Sequence, residues 1–206
     1  LGANVGFGNG WAMSFSSYNS RSGKLSLSTG ATHMAALSEN NFLIKDKKVR
    51  DLKVTRSGGD LIIEHKTGVL EVLSRSGSRS DEWLASRIYS PEGRVIYLDY
   101  RLVAGRRLLS GIRDESQALL TTDMRGGAGQ VSSITLWPES PADQLTFQLQ
   151  QQNGELTKIT LALDNGALLS WRLRYETVNG LRLINRLELP TDGFETITYR
   201  PAALRL

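Results

Sequence analysis

The sequence predicts an all-β protein, an antiparallel meander of hairpins that forms a curved sheet or a sandwich-like piece. Three observations support this fold class: apolar residues that alternate with polar ones, glycine turns at strand-length intervals, and a hairpin segment that occurs twice. Alternation with a period of two buries one face of a strand and leaves the other in water. It is clearest in five stretches, residues 24–29, 95–100, 146–150, 156–163 and 171–175.

Asn-Gly dipeptides separate alternating stretches at residues 153–154, 165–166 and 179–180. Asn-Gly is a preferred centre of the type I′ hairpin turn, because both central residues of that turn need a positive φ. Three such turns in close succession predict consecutive antiparallel hairpins.

The segment that starts at Tyr100 recurs, degenerately and without gaps, from Tyr175. The aligned pairs downstream are Gly105 and Gly180, Arg107 and Arg182, Leu108 and Leu183, Leu109 and Ile184, and Ile112 and Leu187; upstream, Ile96 and Leu98 align with Trp171 and Leu173. A recurring hairpin indicates a repetitive β architecture, in which each unit buries its face against its neighbours. We therefore expect Tyr100 and Tyr175 to occupy equivalent places near the ends of their strands.

Three other segments are assigned less directly. Residues 81–88 fit either a short helix with Ser80 as its N-cap or an extended segment. Residues 120–130 predict a flexible loop because of their glycines, and residues 11–18 predict a strand after a glycine turn. Residues 1–206 are expected to form one all-β module; the alternative is two halves, 1–120 and 130–206, but the repeat straddles that loop.

Composition bounds the class of protein. Hydrophobic residues make up 40% and charged residues 22% of the chain, as in ordinary globular domains. The net charge of +4 comes from 25 basic and 21 acidic residues that are interleaved, which indicates a solvated surface and no nucleic-acid partner. No apolar run reaches the length of a membrane span. Because the chain starts at Leu1 and not at Met, we interpret it as a fragment of a larger protein.

Few residues of the chain are candidates for catalysis. The chain has no Cys and only two His, His33 and His65, and neither stands in a nucleophile motif. A small hydrolase on a β scaffold is thus the weakest of three interpretations, and we expect no enzymatic activity, no catalytic residue, no metal ligands and no cofactor. The glycine-rich opening, residues 2–11, lacks the Gly-Lys-Ser/Thr ending of a phosphate-binding loop.

Aromatic residues leave two interpretations open. Four tryptophans and six tyrosines could line a carbohydrate-binding face, or they could fill the core and pack across strands. The tryptophans are Trp11, Trp83, Trp137 and Trp171.

Several stretches resemble a known repeat. PEGRVIYLDY (residues 91–100), then GRRLLSGIRD (105–114), resembles the Rhs/YD-repeat pattern of an aromatic-ended strand, a Gly-Arg-Leu turn, an Ile and an Asp-containing turn. Residues 171–199 resemble it too. The opening VGFGNGW (5–11), followed by Tyr18 and LSLSTG (25–30), is similar to the segment that precedes the repeats in large bacterial Rhs-type proteins.

The resemblance implies a function. Rhs-type proteins and insecticidal toxin-complex proteins wrap long β-sheets into a hollow shell around a toxic C-terminal segment. We would expect a non-catalytic structural module of such a shell, secreted or exported from a bacterium or cytoplasmic before delivery. Its partners would be the remainder of the same polypeptide shell and the enclosed toxin. In isolation it could form an edge-to-edge homodimer. The alternative is a carbohydrate- or surface-binding β module.

Overall fold

The computed structural model describes residues 4–38, 41–45, 51–75, 80–126 and 129–199. Within these ranges the chain forms strands and no helix, so the all-β prediction is confirmed. The strands are β1 (Ser17–Asn19), β2 (Lys24–Ser26), β3 (Thr32–Leu37), β4 (Phe42–Ile44), β5 (Leu52–Ser57), β6 (Asp60–His65), β7 (Leu70–Arg75), β8 (Glu82–Tyr89), β9 (Val95–Val103), β10 (Arg106–Arg113), β11 (Ala118–Arg125), β12 (Gln130–Leu136), β13 (Leu145–Gln152), β14 (Glu155–Ala162), β15 (Leu168–Val178), β16 (Leu181–Glu188) and β17 (Phe194–Thr196).

The strands form an antiparallel meander in a single sheet that is not closed. β1 to β4 pair in succession, and so do the strands from β5 onward. Among the described residues, β8 pairs with three strands. One of its edges pairs with β7. On the other edge, the first half of β8 pairs with β1, with Tyr18 opposite Trp83, and the second half pairs with β9, with Ile88 opposite Ile96. The first meander therefore joins the second through β1.

The chain forms two compact units. Unit 1 contains residues 1–12, 101–110 and 119–206, and unit 2 contains residues 13–100 and 111–118. In unit 2, alternation along β2, β6 and β8 turns Leu25, Leu61, Ile63 and Trp83 into one buried cluster. The rings of Tyr18 and Trp83 lie 5.5 Å apart in it. In unit 1, the same alternation buries Leu108, Leu120, Val131, Leu156, Leu161 and Leu173.

Three segment assignments are settled by the described backbone. Residues 82–89 form β8, so the extended alternative is right: Trp83 and Ala85 are buried on one face, which a period of two allows. The flexible loop at 120–130 is wrong, because β11 runs to Arg125 and β12 begins at Gln130; residues 127–128 lie outside the described part. The strand at 11–18 begins only at Ser17.

The turns divide into two kinds. At Asn153-Gly154 and Asn179-Gly180 both residues have positive φ, as the type I′ prediction requires. At 165–166 only Gly166 does, so that prediction is wrong; there the backbone N–H of Ala167 bonds the side chain of Asn165. Ala104-Gly105 also has two positive φ values, although Ala104 gives no such signal in the sequence.

A five-residue turn recurs elsewhere. Its first residue accepts a hydrogen bond from the glycine three positions later and donates one to the residue four positions later, and the strands it joins are antiparallel. It occurs at residues 27–31, 65–69, 90–94 and 163–167. In the hairpins β8–β9–β10 and β14–β15–β16 this turn comes first and the two-residue turn follows, so the two segments share their turn order.

Replacing Ala104 by Asn should stabilise the protein. Ala104 has a φ of 48°, a left-handed conformation that costs a residue with a Cβ about 1 kcal/mol, whereas Asn adopts it more readily. We expect Ala104→Asn to raise the free energy of unfolding in urea by about 0.5–1 kcal/mol. The reciprocal Asn153→Ala should lower it by a similar amount. Equal stability of both variants and the parent would contradict this account of the turn.

Candidate functional site

His65 lies in a buried polar cluster of unit 2. Its Nε2 is 2.6 Å from Oε1 of Glu71, whose side chain is 2% exposed. The hydroxyl of Ser28 donates to the same Glu71 oxygen at 3.1 Å. The five-residue turn at 65–69 and the pairing of Ile63 with Glu71 bring these side chains together. Oε2 of Glu71 is buried and has no hydrogen-bond partner.

This cluster contains the residue types of a serine hydrolase in a different arrangement. Activation of a serine requires its hydroxyl to bond the base, and the base to be oriented by the acid. Here the hydroxyl of Ser28 and Nε2 of His65 both bond the Glu71 carboxylate. Glu71 is thus the centre of the cluster, and the arrangement does not activate Ser28. His33 lies on β3, opposite Leu25 of β2.

Metal-ligating groups do not gather in the described part of the chain: no three His, Asp or Glu side chains lie together there. The buried Glu71 was missed from the sequence. Two features of the sequence point to Glu71. It is an acid within the apolar strand LEVLSR, and it follows the only histidine of that hairpin by six residues.

The repeated hairpin carries the most distinctive geometry. The hydroxyl of Tyr100 on β9 donates to the carbonyl of Ala85 on β8 at 2.9 Å. The hydroxyl of Tyr175 on β15 donates to the carbonyl of Leu156 on β14 at 2.8 Å. Both tyrosines precede the last residue of their strand by three positions, and both strands lead into a turn with two positive φ values. The prediction that Tyr100 and Tyr175 are equivalent is confirmed.

A third tyrosine repeats this contact, which we call the tyrosine clamp. Tyr199 donates to the carbonyl of Ile184 at 2.6 Å. In all three cases the acceptor is a backbone carbonyl of the preceding strand of the meander, 15, 19 and 15 residues upstream for Tyr100, Tyr175 and Tyr199. The sequence alignment missed Tyr199 because it pairs only two copies.

The glycine-rich opening is a strap that belongs to unit 1 and contacts the strands of that unit. We use "strap" for residues 4–11. Gly6 accepts hydrogen bonds from the backbone N–H of Val131 at 2.8 Å and from Nε2 of Gln151 at 2.6 Å. The backbone N–H of Asn9 donates to Gly154 at 2.6 Å. Phe7 of the strap is 6% exposed. The glycine turn expected from the sequence is therefore part of a longer docked segment.

Gly8 has no room for a side chain. A Cβ on it would lie 2.8 Å from the backbone nitrogen of Leu156, and its φ of 105° disfavours any residue with a Cβ. The strap ends at Trp11, whose indole N–H donates to the hydroxyl of Tyr175 at 2.8 Å. Tyr175 thus joins the strap to β14 and β15.

Charges surround Tyr175. Burial raises the pKa of its hydroxyl, while the bond from Trp11 acts in the opposite direction. Arg182 on β16 makes a two-point contact with the carboxylate of Glu155, at 2.7 and 3.0 Å. The hydrogen bonds from Arg182 lower the pKa of Glu155. Arg182 is one of the residues that recur in the repeat, as Arg107.

The tryptophans serve different purposes. Trp83 is in the core of unit 2 and donates its indole N–H to the carbonyl of Gly59, and Trp11 is held by Tyr175. Trp137 is 42% exposed at the end of β12. The more open aromatic is Phe194 on β17, 56% exposed, with the guanidinium of Arg186 4.0 Å from its ring centre. Phe194 borders a groove of about 370 Å³ over β15–β17, lined also by Leu168, Ser170, Arg172, Glu188 and Asp192.

The comparisons with known proteins do not assign the chain. No protein-family model matches it, and no curated protein matches it either.

Removing His65 should destabilise unit 2 strongly. The buried side chain of Glu71 would lose its closest hydrogen-bond partner, and leaving a buried polar group without a partner costs about 1–3 kcal/mol. We expect this loss in the free energy of unfolding of His65→Ala, but a change below about 1 kcal/mol for the control His33→Ala. The double variant His65→Leu with Glu71→Leu should recover most of the loss, because neither polar side chain of the pair is then buried without its partner. Equal costs for the two histidines would contradict the assignment.

Tyr175 should make unit 1 sensitive to alkaline pH. Because burial raises the pKa of Tyr175 in the folded state, its stabilising contribution is complete below the ordinary tyrosine pKa of about 10 and is lost as the pH rises through the folded value. Tyr175→Phe should reduce this alkaline slope and cost about 1–2 kcal/mol at neutral pH, since Trp11 and Leu156 lose their partner. Urea unfolding at pH 7 to 11 measures both. An unchanged slope would show that Tyr175 does not cause it.

Proposed function

We propose that this chain is a non-catalytic structural module of a β-shell, of the kind that Rhs/YD-repeat toxin-related proteins build. The observation that supports it is the tyrosine clamp, which recurs at Tyr100, Tyr175 and Tyr199. Tyr100 and Tyr175 each tie their strand to the one before it through a backbone carbonyl, and Tyr199, three residues beyond the end of β17, makes the same contact with β16. Such a contact can repeat along a growing sheet whatever side chains the preceding strand carries.

The open edge of the sheet supplies the contact with further strands. Ile197 donates to Asn185, and Leu189 donates to Gly193, so residues 193, 195 and 197 face β16. The N–H groups of Phe194 and Thr196 therefore point away from β16, toward the side of β17 on which the described residues place no paired strand. On this proposal the partner at that side is another strand of the same polypeptide shell, which encloses or delivers a C-terminal toxin. The protein that carries it is exported from a bacterium.

Blocking this edge tests the proposal. Isolated chains should pair edge to edge through β17, because an unpaired strand edge is a template for another strand. Thr196→Pro removes an outward N–H without removing a bond to β16, so it should abolish the part of the association that β17 makes, seen as a lower fraction of dimer than the wild type in sedimentation equilibrium. The matched control Thr196→Val keeps that N–H and should still associate. A wild-type chain that stays monomeric at high concentration, or a Pro variant that associates equally, would count against the edge as the shell contact.

A second candidate function is carbohydrate binding, and the exposed ring of Phe194 beside the groove over β15–β17 favours it. Sugar rings pack on aromatic faces, and clefts of about 300–1,000 Å³ hold small ligands. A glycan screen would support it by saturable binding that is lost in Phe194→Ala and kept in Trp137→Ala. Turnover in a hydrolase screen that His33→Ala with His65→Ala abolishes would instead overturn the non-catalytic proposal.

A further inference from the structure

The strap lies in a groove that selects its occupant residue by residue. The groove is lined by Val131, Gln151, Gly154, Leu156 and Tyr175, and we call it the strap groove. Backbone groups on its two sides bond the strap, and Gln151 bridges Gly6 of the strap and Val131 of the groove. These contacts fix where each strap residue lies.

Selectivity comes from space as well as from hydrogen bonds. A Cβ on Gly6 would lie 3.0 Å from a methyl of Val131 and one on Gly8 would lie 2.8 Å from the backbone of Leu156. Both glycines also have a φ above 100°, which disfavours any residue with a Cβ. Between them Phe7 is buried. At the end of the groove the Tyr175 hydroxyl accepts a donor, which Trp11 supplies. A ligand must therefore present glycine, a large apolar residue, glycine and, three positions on, an aromatic N–H donor.

We propose that the strap groove is a sequence-specific peptide-binding groove and that its second occupant is the strap of another copy of this chain. The strap itself has the required sequence, G-F-G-N-G-W. Its described hydrogen bonds with groove residues are all made within unit 1, so a strap from any copy can make the same set.

The tether permits exchange. Residues 12–15 lie outside any strand, and the backbone hydrogen bond from Phe15 to Met13 is local to them; Ser16 is then bonded to another strand, since its carbonyl accepts the N–H of Ala85. Exchange of an identical element between copies preserves every contact that the element makes, so its equilibrium depends on concentration and on the tether alone. The strap of the same chain has the advantage at low concentration, and the second copy gains as concentration rises.

A variant whose own strap is displaced leaves the strap groove open, so that binding of a peptide to it can be measured. In the full-length Gly8→Ala chain the new Cβ meets the backbone of Leu156. The control chain is Gly166→Ala, because Gly166 also has a positive φ but has no atom within 4 Å of a Cβ. Both chains are titrated with a fluorescent peptide of residues 4–12, after circular dichroism has shown the β spectrum of each.

We expect the peptide to bind Gly8→Ala at least tenfold more tightly than Gly166→Ala or the wild type, whose own strap competes. A peptide that carries Gly8→Ala, or one that carries Trp11→Ala, should bind at least tenfold more weakly than the wild-type peptide. Equal binding of the wild-type peptide to the Gly8→Ala and Gly166→Ala chains would overturn the proposal.

A second measurement decides the matter if Gly8→Ala does not fold. The chain has no Cys, so single cysteines report cleanly. Asn9→Cys in one population and Gly154→Cys in a tagged population are unfolded together, refolded at high concentration and oxidised; a Cβ on Gly154 lies 2.9 Å from the Asn9 side chain. The chain with both cysteines is the reference. Tagged and untagged chains linked by a disulfide support exchange, whereas bridging in the reference alone overturns it.

Discussion

The hydroxyl of Tyr175 is the contact on which the arrangement of unit 1 depends. It donates to the carbonyl of Leu156 and accepts from the indole of Trp11, which uses both the donor and an acceptor site of one phenol oxygen. Because a single atom joins β14, β15 and the strap, the position of each of these segments constrains the other two. Gly8 permits this, since a larger residue would lift the strap from Leu156 before Trp11 reached the hydroxyl.

The clamp coexists with the regular sheet because a carbonyl oxygen has two lone pairs. A strand carbonyl can bond a neighbouring backbone N–H and still accept a tyrosine hydroxyl. The acceptors are Ala85, Leu156 and Ile184, which have different side chains. The clamp therefore places no demand on the sequence of the accepting strand. This explains how the repeat can be degenerate in sequence and regular in geometry.

Local pattern predicted some of the strands from the sequence, and contacts between distant residues account for much of what it missed. Alternation and Asn-Gly turns are local properties, so β9 and β13 to β16 could be predicted. The loop prediction for residues 120–130 was wrong because it rested on their glycines and not on the inward Leu120 and Thr122. The hydroxyl of Thr122 donates to the carbonyl of Leu109, a contact that no local pattern shows. The strap contacts residues more than a hundred positions away, and the cluster around Glu71 unites Ser28 with a hairpin far along the chain.

The two candidate functions use the same strand in different directions, so they do not compete. Pairing with a further strand would use the outward N–H groups of Phe194 and Thr196, which lie in the plane of the sheet. Carbohydrate binding would use the ring of Phe194, which stands out of that plane with Arg186 against it. A neighbouring strand would not cover the ring face opposite Arg186 and would extend the groove floor beyond β17. The carbohydrate affinity of the isolated chain would then be lower than that of a longer sheet. Strand pairing at the edge of β17 should therefore be measured before carbohydrate binding.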